Sequence, residues 1–256
     1  MKANAVVMAG RANEGRLKEV SDAAYEALIA IAGRPMLDWV LGALRASSTI
    51  QRIVIVGPEK VIREKVDPQG ATFVEPGESM VENMLRGVRS LPSDEMVLVV
   101  SSDLPLLTGH VIDDYLGQCA ERKADLYYPI IEKDVIEPKY PGVHRTYATL
   151  REGTYTGGNV LLVHPRLLLE NYQKAEAFVD ARKSPLKLAQ VLGFGFVVRL
   201  LLKMLSIKEL EETICRNFNL SGVAVACREA EIGIDVDKPS DYELAARVLG
   251  QNRPGA

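Results

Sequence analysis

Four short segments of this chain carry residues whose types and spacing could do chemistry. The first, Gly10-Arg11-Ala12-Asn13-Glu14-Gly15-Arg16-Leu17-Lys18, follows an apolar run directly. Glycines let backbone N–H groups approach a phosphate, and Arg11, Arg16 and Lys18 supply positive charge. Gly10 and Gly15 have the spacing that opens a Walker A loop, but Arg16 and Leu17 stand where Lys and Ser/Thr are needed, and there is no G-x-G-x-x-G. The alternative is a mobile surface loop with incidental basic residues. The second segment is Ser101-Ser102-Asp103-Leu104-Pro105. A carboxylate at a strand end, stiffened by a following proline, suits Mg²⁺, which takes one or two carboxylates plus phosphate oxygens and water. The alternative is a turn acid ahead of a helix.

The third segment is Asp235-Val236-Asp237-Lys238-Pro239-Ser240-Asp241. Asp235 and Asp237 alternate with apolar residues at strand period, so they share one face and offer a second metal carboxylate. Asp237 and Ser240 are equally N-cap residues, and Asp241 suits the first turn of a helix. The fourth is Thr154-Tyr155-Thr156-Gly157-Gly158-Asn159, where two glycines before a strand permit close approach by a ligand and Asn159 can donate and accept. A turn or bulge explains the same glycines. Upstream, Lys133, Lys139, His144, Arg145 and Tyr147 form a polar-aromatic run that lines an anionic acceptor site or belongs to a solvated loop.

These segments must be positioned by the elements around them. Strands are expected at Ala5–Ala9, Arg52–Gly57, Thr72–Val74 and Met96–Val100, separated by helices at Pro35–Ala46, Ser79–Ser90 and Thr108–Glu121. Near-continuous Val/Ile/Leu strands alternating with helices imply a parallel sheet covered on both faces, with right-handed crossovers. Further strands are expected at Leu126–Ile131, Asn159–Val163, Val223–Ala226 and Ile232–Val236. A mostly helical stretch runs from Pro165 to about Asn217, and a closing helix from Pro239 to Leu249, with a frayed tail at 251–256. The fold class is therefore α/β, a Rossmann-like, mostly parallel sheet sandwiched by helices, with a C-terminal helical insertion. One domain is expected, with a nucleotide-binding half at 1–123, acceptor-side strands and the helical insertion at 124–222, and returning strands and the closing helix at 223–249. In an open parallel sheet ligands bind beyond the carboxyl ends of the strands, which is where the first three of these segments fall. The apolar helices near 186–210 are expected to bury against the sheet, with a homodimer face as the second reading.

Composition bounds the function classes. The 256 residues hold 31 Lys+Arg against 34 Asp+Glu, so no basic excess points to nucleic acid. Cys119, Cys215 and Cys227 are odd in number and lack a C-x-x-C pair, which speaks against a disulfide framework or structural zinc. The stretch Val191–Leu205 is too short and too charged to span a bilayer. With no signal-peptide pattern at Met1, a cytoplasmic protein is expected.

The segments in order resemble a known superfamily. Val6-Val7-Met8-Ala9-Gly10 followed by Ala27-Leu28-Ile29-Ala30-Ile31-Ala32-Gly33-Arg34-Pro35-Met36-Leu37 is similar to the opening signature of nucleotidyltransferases with a glycosyltransferase-A-type fold. These include molybdenum cofactor guanylyltransferases, sugar-1-phosphate nucleotidyltransferases and methylerythritol phosphate cytidylyltransferases. Ser102-Asp103-Leu104-Pro105 resembles their G-D-x-P metal segment, Gly157-Gly158-Asn159 their acceptor-side turn, and residues 235–241 their D-x-D-x-P-x-D segment. The helical stretch resembles the MobA-like bacterial branch. Two departures stand out. The superfamily has paired glycines where this chain has Gly10-Arg11, and its signature lysine stands where this chain has Glu26. That lysine neutralises a triphosphate; a glutamate there repels one unless it faces solvent or helps hold a metal.

The resemblance implies nucleotidyl transfer, in which an acceptor attacks the α-phosphorus of a nucleoside triphosphate and pyrophosphate leaves. It implies Mg²⁺ on Asp103 with Asp235 or Asp237, and a triphosphate held around Ala9, Gly10 and Arg11 with Arg16 and Lys18. It also implies base and ribose near Ser79 and Asn83, and an acceptor facing Gly158 and Asn159. Expected partners are a nucleoside triphosphate and a small-molecule acceptor. Two other classes stay open: a glycosyltransferase of the same fold, whose D-x-D is not matched by Asp103-Leu104-Pro105, and a non-catalytic nucleotide or sugar-phosphate binder, which Glu26 favours.

Overall fold

A computed structural model describes residues 1–181 and 185–251. The tail expected to fray lies, apart from Gln251, outside the described residues. The chain opens with β1 (Ala3–Met8). An excursion over residues 9–35 follows, carrying two 3₁₀ turns (Arg16–Glu19, Glu26–Leu28) and the hairpin β2 (Ala30–Ile31) and β3 (Arg34–Pro35). Next come α1 (Met36–Ala46), β4 (Ile50–Val56), α2 (Glu59–Arg63), β5 (Thr72–Val74), α3 (Met80–Arg89), β6 (Val97–Ser101) and α4 (Gly109–Cys119). The acceptor-side half continues with β7 (Leu126–Glu132), α5 (Lys133–Lys139), β8 (Ala148–Thr149), β9 (Thr154–Gly157) and β10 (Val160–Val163). Four helices follow, α6 (Pro165–Ala181), α7 (Pro185–Leu192), α8 (Phe194–Leu201) and α9 (Ile207–Phe218), then β11 (Gly222–Cys227) and α10 (Pro239–Gln251).

Among the described residues, nine strands form one sheet in the order β5-β4-β1-β6-β10-β7-β9-β8, with β11 on β7. β5, β4, β1 and β6 are mutually parallel, β10 is antiparallel to both β6 and β7, and β11 is parallel to β7. The alternation along β1 shows why the strands read as continuous apolar runs. Ala5 and Val7 join the core on one face of the sheet, Val6 the core on the other, and all three are fully buried. Met36, Leu37, Val40, Leu41 and Leu44 bury the inner face of α1 at helical spacing. Gly87 lets α3 sit flush on the sheet, since a Cβ there would lie 2.4 Å from Val6 Cγ1. Ser79 and Thr108 cap α3 and α4 by accepting N–H groups of Glu82 and Val111.

Two expectations are corrected. Residues 232–236 are not a strand: Ala230–Gly233 is a 3₁₀ turn, and the chain then crosses the strand ends. Ile232, Ile234 and Val236 are buried, as the alternation required. Their backbone, however, makes single bonds instead of a ladder: Asn159 N–H to Ile232 O at 2.9 Å and Val236 N–H to Asp103 O at 3.0 Å. The helices after residue 165 do not all bury against the sheet. α6 packs on α3 and α9 on β11, whereas α7 and α8 lie outside them, and α8 leaves Phe194 74% exposed.

Candidate functional site

The chain leaves β1 for β4 and β5 on one side and returns through β6 on the other. The sheet's switch point is therefore the gap between the ends of β1 and β6, the crevice where α/β sheets bind ligands. Ala9 and Gly10 end one wall. Gly10 is pressed on Pro76, whose Cβ would stand 3.0 Å from an added Cβ, so the backbone is bare where it enters the crevice. Asp103 ends the other wall. Leu104, Leu106 and Leu107 of its turn are buried, which fixes the carboxylate at the strand end, itself only 7% exposed.

Two distant segments close on Asp103. The Asn159 carbonyl accepts from Ser101 N–H at 3.2 Å, bringing the glycine-asparagine turn beside the end of β6. Gly158 is required there by packing, since a Cβ would meet Pro129 and Ile232 side chains at 2.8 Å and the Ile232 carbonyl at 3.1 Å. The Val236 N–H on the Asp103 carbonyl then brings the C-terminal acids to the same point.

Carboxylate oxygens of Glu26, Asp103 and Asp237 all lie within 4.8 Å of one another. Asp235 is not in this group. Its carboxylate pairs with Arg145 Nη1 at 3.1 Å, and its carbonyl accepts from Arg145 Nη2 at 2.7 Å. The shared face expected for Asp235 and Asp237 depended on a strand, and the chain here is not one. Asp241 sits in the first turn of α10, accepting the Asp237 N–H at 3.3 Å and standing 3.6 Å from Arg145, which anchors the segment. Glu26 does not face solvent. It opens a 3₁₀ turn, buried, with Arg11 Nε 3.2 Å from its Oε2.

Like charges gathered at the crevice shape the electrostatics. Burial raises the Asp103 carboxyl, and the charges of Asp237 and Glu26 raise it further, against the Ser101 hydroxyl and Arg11, which favour the ionised form. Burial raises Asp235 as well, followed by the charge of Asp103, with Arg145 opposing. Glu26 is raised by burial and by Asp237, while Arg11 pulls it down. An all-oxygen, carboxylate-rich donor set of this kind fits a hard divalent cation such as Mg²⁺.

The remaining expected residues divide. Arg16 and Lys18 are exposed on the 3₁₀ turn after Gly15 and form no ion pair among the described residues. Gly15 itself lies against Glu26. Ser79 spends its oxygen on the Glu82 N–H and donates to Glu176 at 2.7 Å, and Asn83 Oδ1 accepts the Gly77 N–H at 2.5 Å, so both shape the loop ahead of α3. The loop from Gly10 to Gly33 is packed: Leu17, Ile29 and Ile31 are fully buried, and the Asn13 amide donates to the Ser21 and Ala23 carbonyls.

A mostly parallel α/β sheet with glycine-loop and carboxylate segments meeting at its switch point is the architecture of a nucleotidyltransferase. The chain belongs to the MobA-like NTP transferase domain family, whose model matches residues 6–176. A hypothetical transferase structure from Thermus thermophilus is similar to it with a TM-score of 0.84 and 33% identity, over 94% of this chain and 100% of that one. CMP:2-keto-3-deoxy-manno-octonic acid synthetase complexed with CTP shares the fold at a TM-score of 0.64 and 13% identity, over 99% of this chain and 100% of that one. The bifunctional protein GlmU of Bdellovibrio bacteriovorus is 28% identical over 98 residues, 38% of this chain. That match spans 21% of the GlmU chain.

Proposed function

We propose that the chain transfers a nucleotidyl group from a nucleoside triphosphate to a small phosphorylated or hydroxyl-bearing acceptor. The acceptor oxygen forms a bond to the α-phosphorus while the bond to the β-phosphate bridging oxygen breaks, and pyrophosphate leaves with that electron pair. The observation that carries this reading is the gathering of Glu26, Asp103 and Asp237 at the β1/β6 switch point, beside the bare backbone of Gly10.

Asp103 and Asp237 would hold a divalent cation, which when bound neutralises phosphate charge. The rest falls to the chain. Backbone N–H groups after Ala9 and the cations Arg11, Arg16 and Lys18 orient the triphosphate. Gly158 and Asn159, fixed to the end of β6, place the acceptor. With the nucleophile supplied by the acceptor, catalysis reduces to positioning and electrostatics.

The test is pyrophosphate release from each of the four common nucleoside triphosphates, with and without MgCl₂, against a panel of sugar phosphates and polyol phosphates. Release that needs both MgCl₂ and an acceptor, and that Asp103→Asn removes without unfolding the protein, supports the reading. Acceptor-dependent release retained by Asp103→Asn refutes it.

A further inference from the structure

We propose that Glu26 is a positioning residue that fixes Arg11 over the crevice, so that the Arg11 guanidinium supplies the triphosphate with the positive charge that a lysine at position 26 supplies in the resembled pattern. This rests on the nucleotidyl-transfer reading. It joins the two departures from the superfamily signature, Arg11 for a glycine and Glu26 for a lysine, into one exchange.

The backbone makes the two positions neighbours whatever side chains they carry. Ala12 and Tyr25 form an antiparallel bridge, the Glu26 N–H donates to the Arg11 carbonyl at 3.1 Å, and the Asn13 N–H donates to the Ala24 carbonyl at 2.9 Å. A charge at position 26 therefore acts on position 11 directly. The two side chains are stacked by depth. Glu26 is 5% exposed and Arg11 64%, so the carboxylate lies beneath and the guanidinium on top. An incoming phosphate meets the cation, and the pair's buried negative charge is screened by it.

The donor count leaves Arg11 able to do this. Its Nε stands in an ion pair 3.2 Å from Glu26 Oε2 and its Nη1 donates to Asp237 Oδ1 at 3.1 Å, while Nη2 donates to no residue among those described. A guanidinium offers five N–H donors in a rigid fork, and a fork held at Nε presents the other edge to a phosphate. The two ties differ in kind. The Asp237 contact is between side chains 64% and 50% exposed, so it is easily surrendered when Asp237 takes another partner. The Glu26 contact is anchored on a buried group and keeps the guanidinium in place.

Inorganic tripolyphosphate in MgCl₂ is the probe, because it needs no choice of base, with calorimetric titration of the full chain as the readout. Arg11→Gln and Glu26→Gln should each weaken binding by about tenfold, the scale of one charged contact. The double variant should bind no more weakly than Arg11→Gln alone, because Glu26 acts through Arg11. Glu26→Asp should recover part of the loss, and Arg11→Gly with Glu26→Lys should restore tight binding. Mn²⁺ binding without polyphosphate, read by electron paramagnetic resonance, should be retained in Glu26→Gln, weakened only by the loss of a neighbouring charge. Additive losses in the double variant overturn the inference. So does loss of Mn²⁺ in Glu26→Gln, which would make Glu26 a metal ligand. Arg11 is exposed, so an unaltered affinity in a folded Arg11→Gln overturns it even if Glu26 variants misfold. Wild type that binds tripolyphosphate but never releases pyrophosphate refutes the transfer reading and leaves this pairing standing. Wild type that binds none refutes both.

Discussion

The Arg145 guanidinium joins two acids that flank the proposed cation site: Nη1 stands 3.1 Å from Asp235 and 3.6 Å from Asp241. The arginine side chain is 9% exposed, Asp235 16% and Asp241 2%. Nη2 also grips the Asp235 carbonyl. The segment that presents Asp237 is thus held from below by a residue 90 positions earlier.

Truncating this clamp leaves Asp235 without its cation and Asp241 with only Lys238, 3.9 Å away. Arg145→Met should destabilise the fold by about 3–5 kcal/mol, the usual cost of removing one partner of a buried pair. It should also weaken Mn²⁺ binding in the molecules that remain folded, because Asp237 loses its support. Urea unfolding and a Mn²⁺ titration check the two effects separately. A variant as stable as wild type would mean that solvent reaches these carboxylates.

Gly158 gives a test of the acceptor side. An alanine Cβ would meet Pro129 and Ile232 at 2.8 Å, and also the Ile232 carbonyl, which is backbone and cannot rotate away. Gly158→Ala should cost about 1–3 kcal/mol of stability, as overpacking does. Asn159 is displaced with it, so the Michaelis constant for the acceptor should rise more than that for the nucleotide. Gly117→Ala, on an open face of α4 where a Cβ meets nothing within 4 Å, is the control and should stabilise slightly.

The sheet and Asp103 could be read from the chain because each depends on local pattern. Val97–Ser101 is apolar on both faces, so its strand and the acid just past its end follow from period and burial alone. Asp235 and Asp237 could not be separated that way. Their alternation sets them on one face only if the segment is a strand, and what divides them is the identity of their partners, Arg145 for one and Arg11 for the other. Those partners lie 90 and 226 residues away. Glu26 was visible as a departure from a signature. Its burial against Arg11, however, depends on the Ala12–Tyr25 bridge, which no hydrophobic period announces. The extra exposure of α8 was hidden for the opposite reason: its apolar residues look like core, and nothing in the pattern says that α7 packs on α6 and α9 and α8 on α7.

Asp113 predicts a pH effect remote from the site. It projects from α4 into the turn between α1 and β4, accepting from the Ser47 hydroxyl at 2.5 Å, the Thr49 hydroxyl at 2.6 Å and both the hydroxyl and N–H of Ser48. Burial pushes its carboxyl up, but these donors outweigh that and hold it well below the usual carboxylate range. A depressed folded-state pKa contributes stability above the unfolded value of about 3.9, and that contribution is lost as pH falls through the folded value. Wild type should therefore lose more unfolding free energy than Asp113→Asn between about pH 5 and pH 2. At neutral pH the variant should be about 1–3 kcal/mol less stable, the range for hydrogen bonds to a charged group. Parallel stability curves for the two proteins would exclude the hydroxyl cage as the cause.

The carboxylate group at the switch point predicts a trade of stability against ligand. Glu26, Asp103 and Asp237 repel one another across less than 5 Å, with Arg11 the cation that contacts Glu26 and Asp237. Neutralising Asp103, one of the two buried members, removes repulsion and a desolvated charge at once. Asp103→Asn should therefore melt at the same temperature as wild type or higher in EDTA. In MnCl₂ or MgCl₂ the order should reverse, because wild type gains stability in proportion to its affinity for the ion while the variant gains little. Lys238→Gln, which removes a cation near Asp241 rather than a carboxylate, should keep the wild-type response to metal. A metal-induced rise of equal size in Asp103→Asn and wild type would place the cation elsewhere. A variant that melts well below wild type in EDTA would instead make Asp103 a structural acid, held for its hydrogen bond from Ser101.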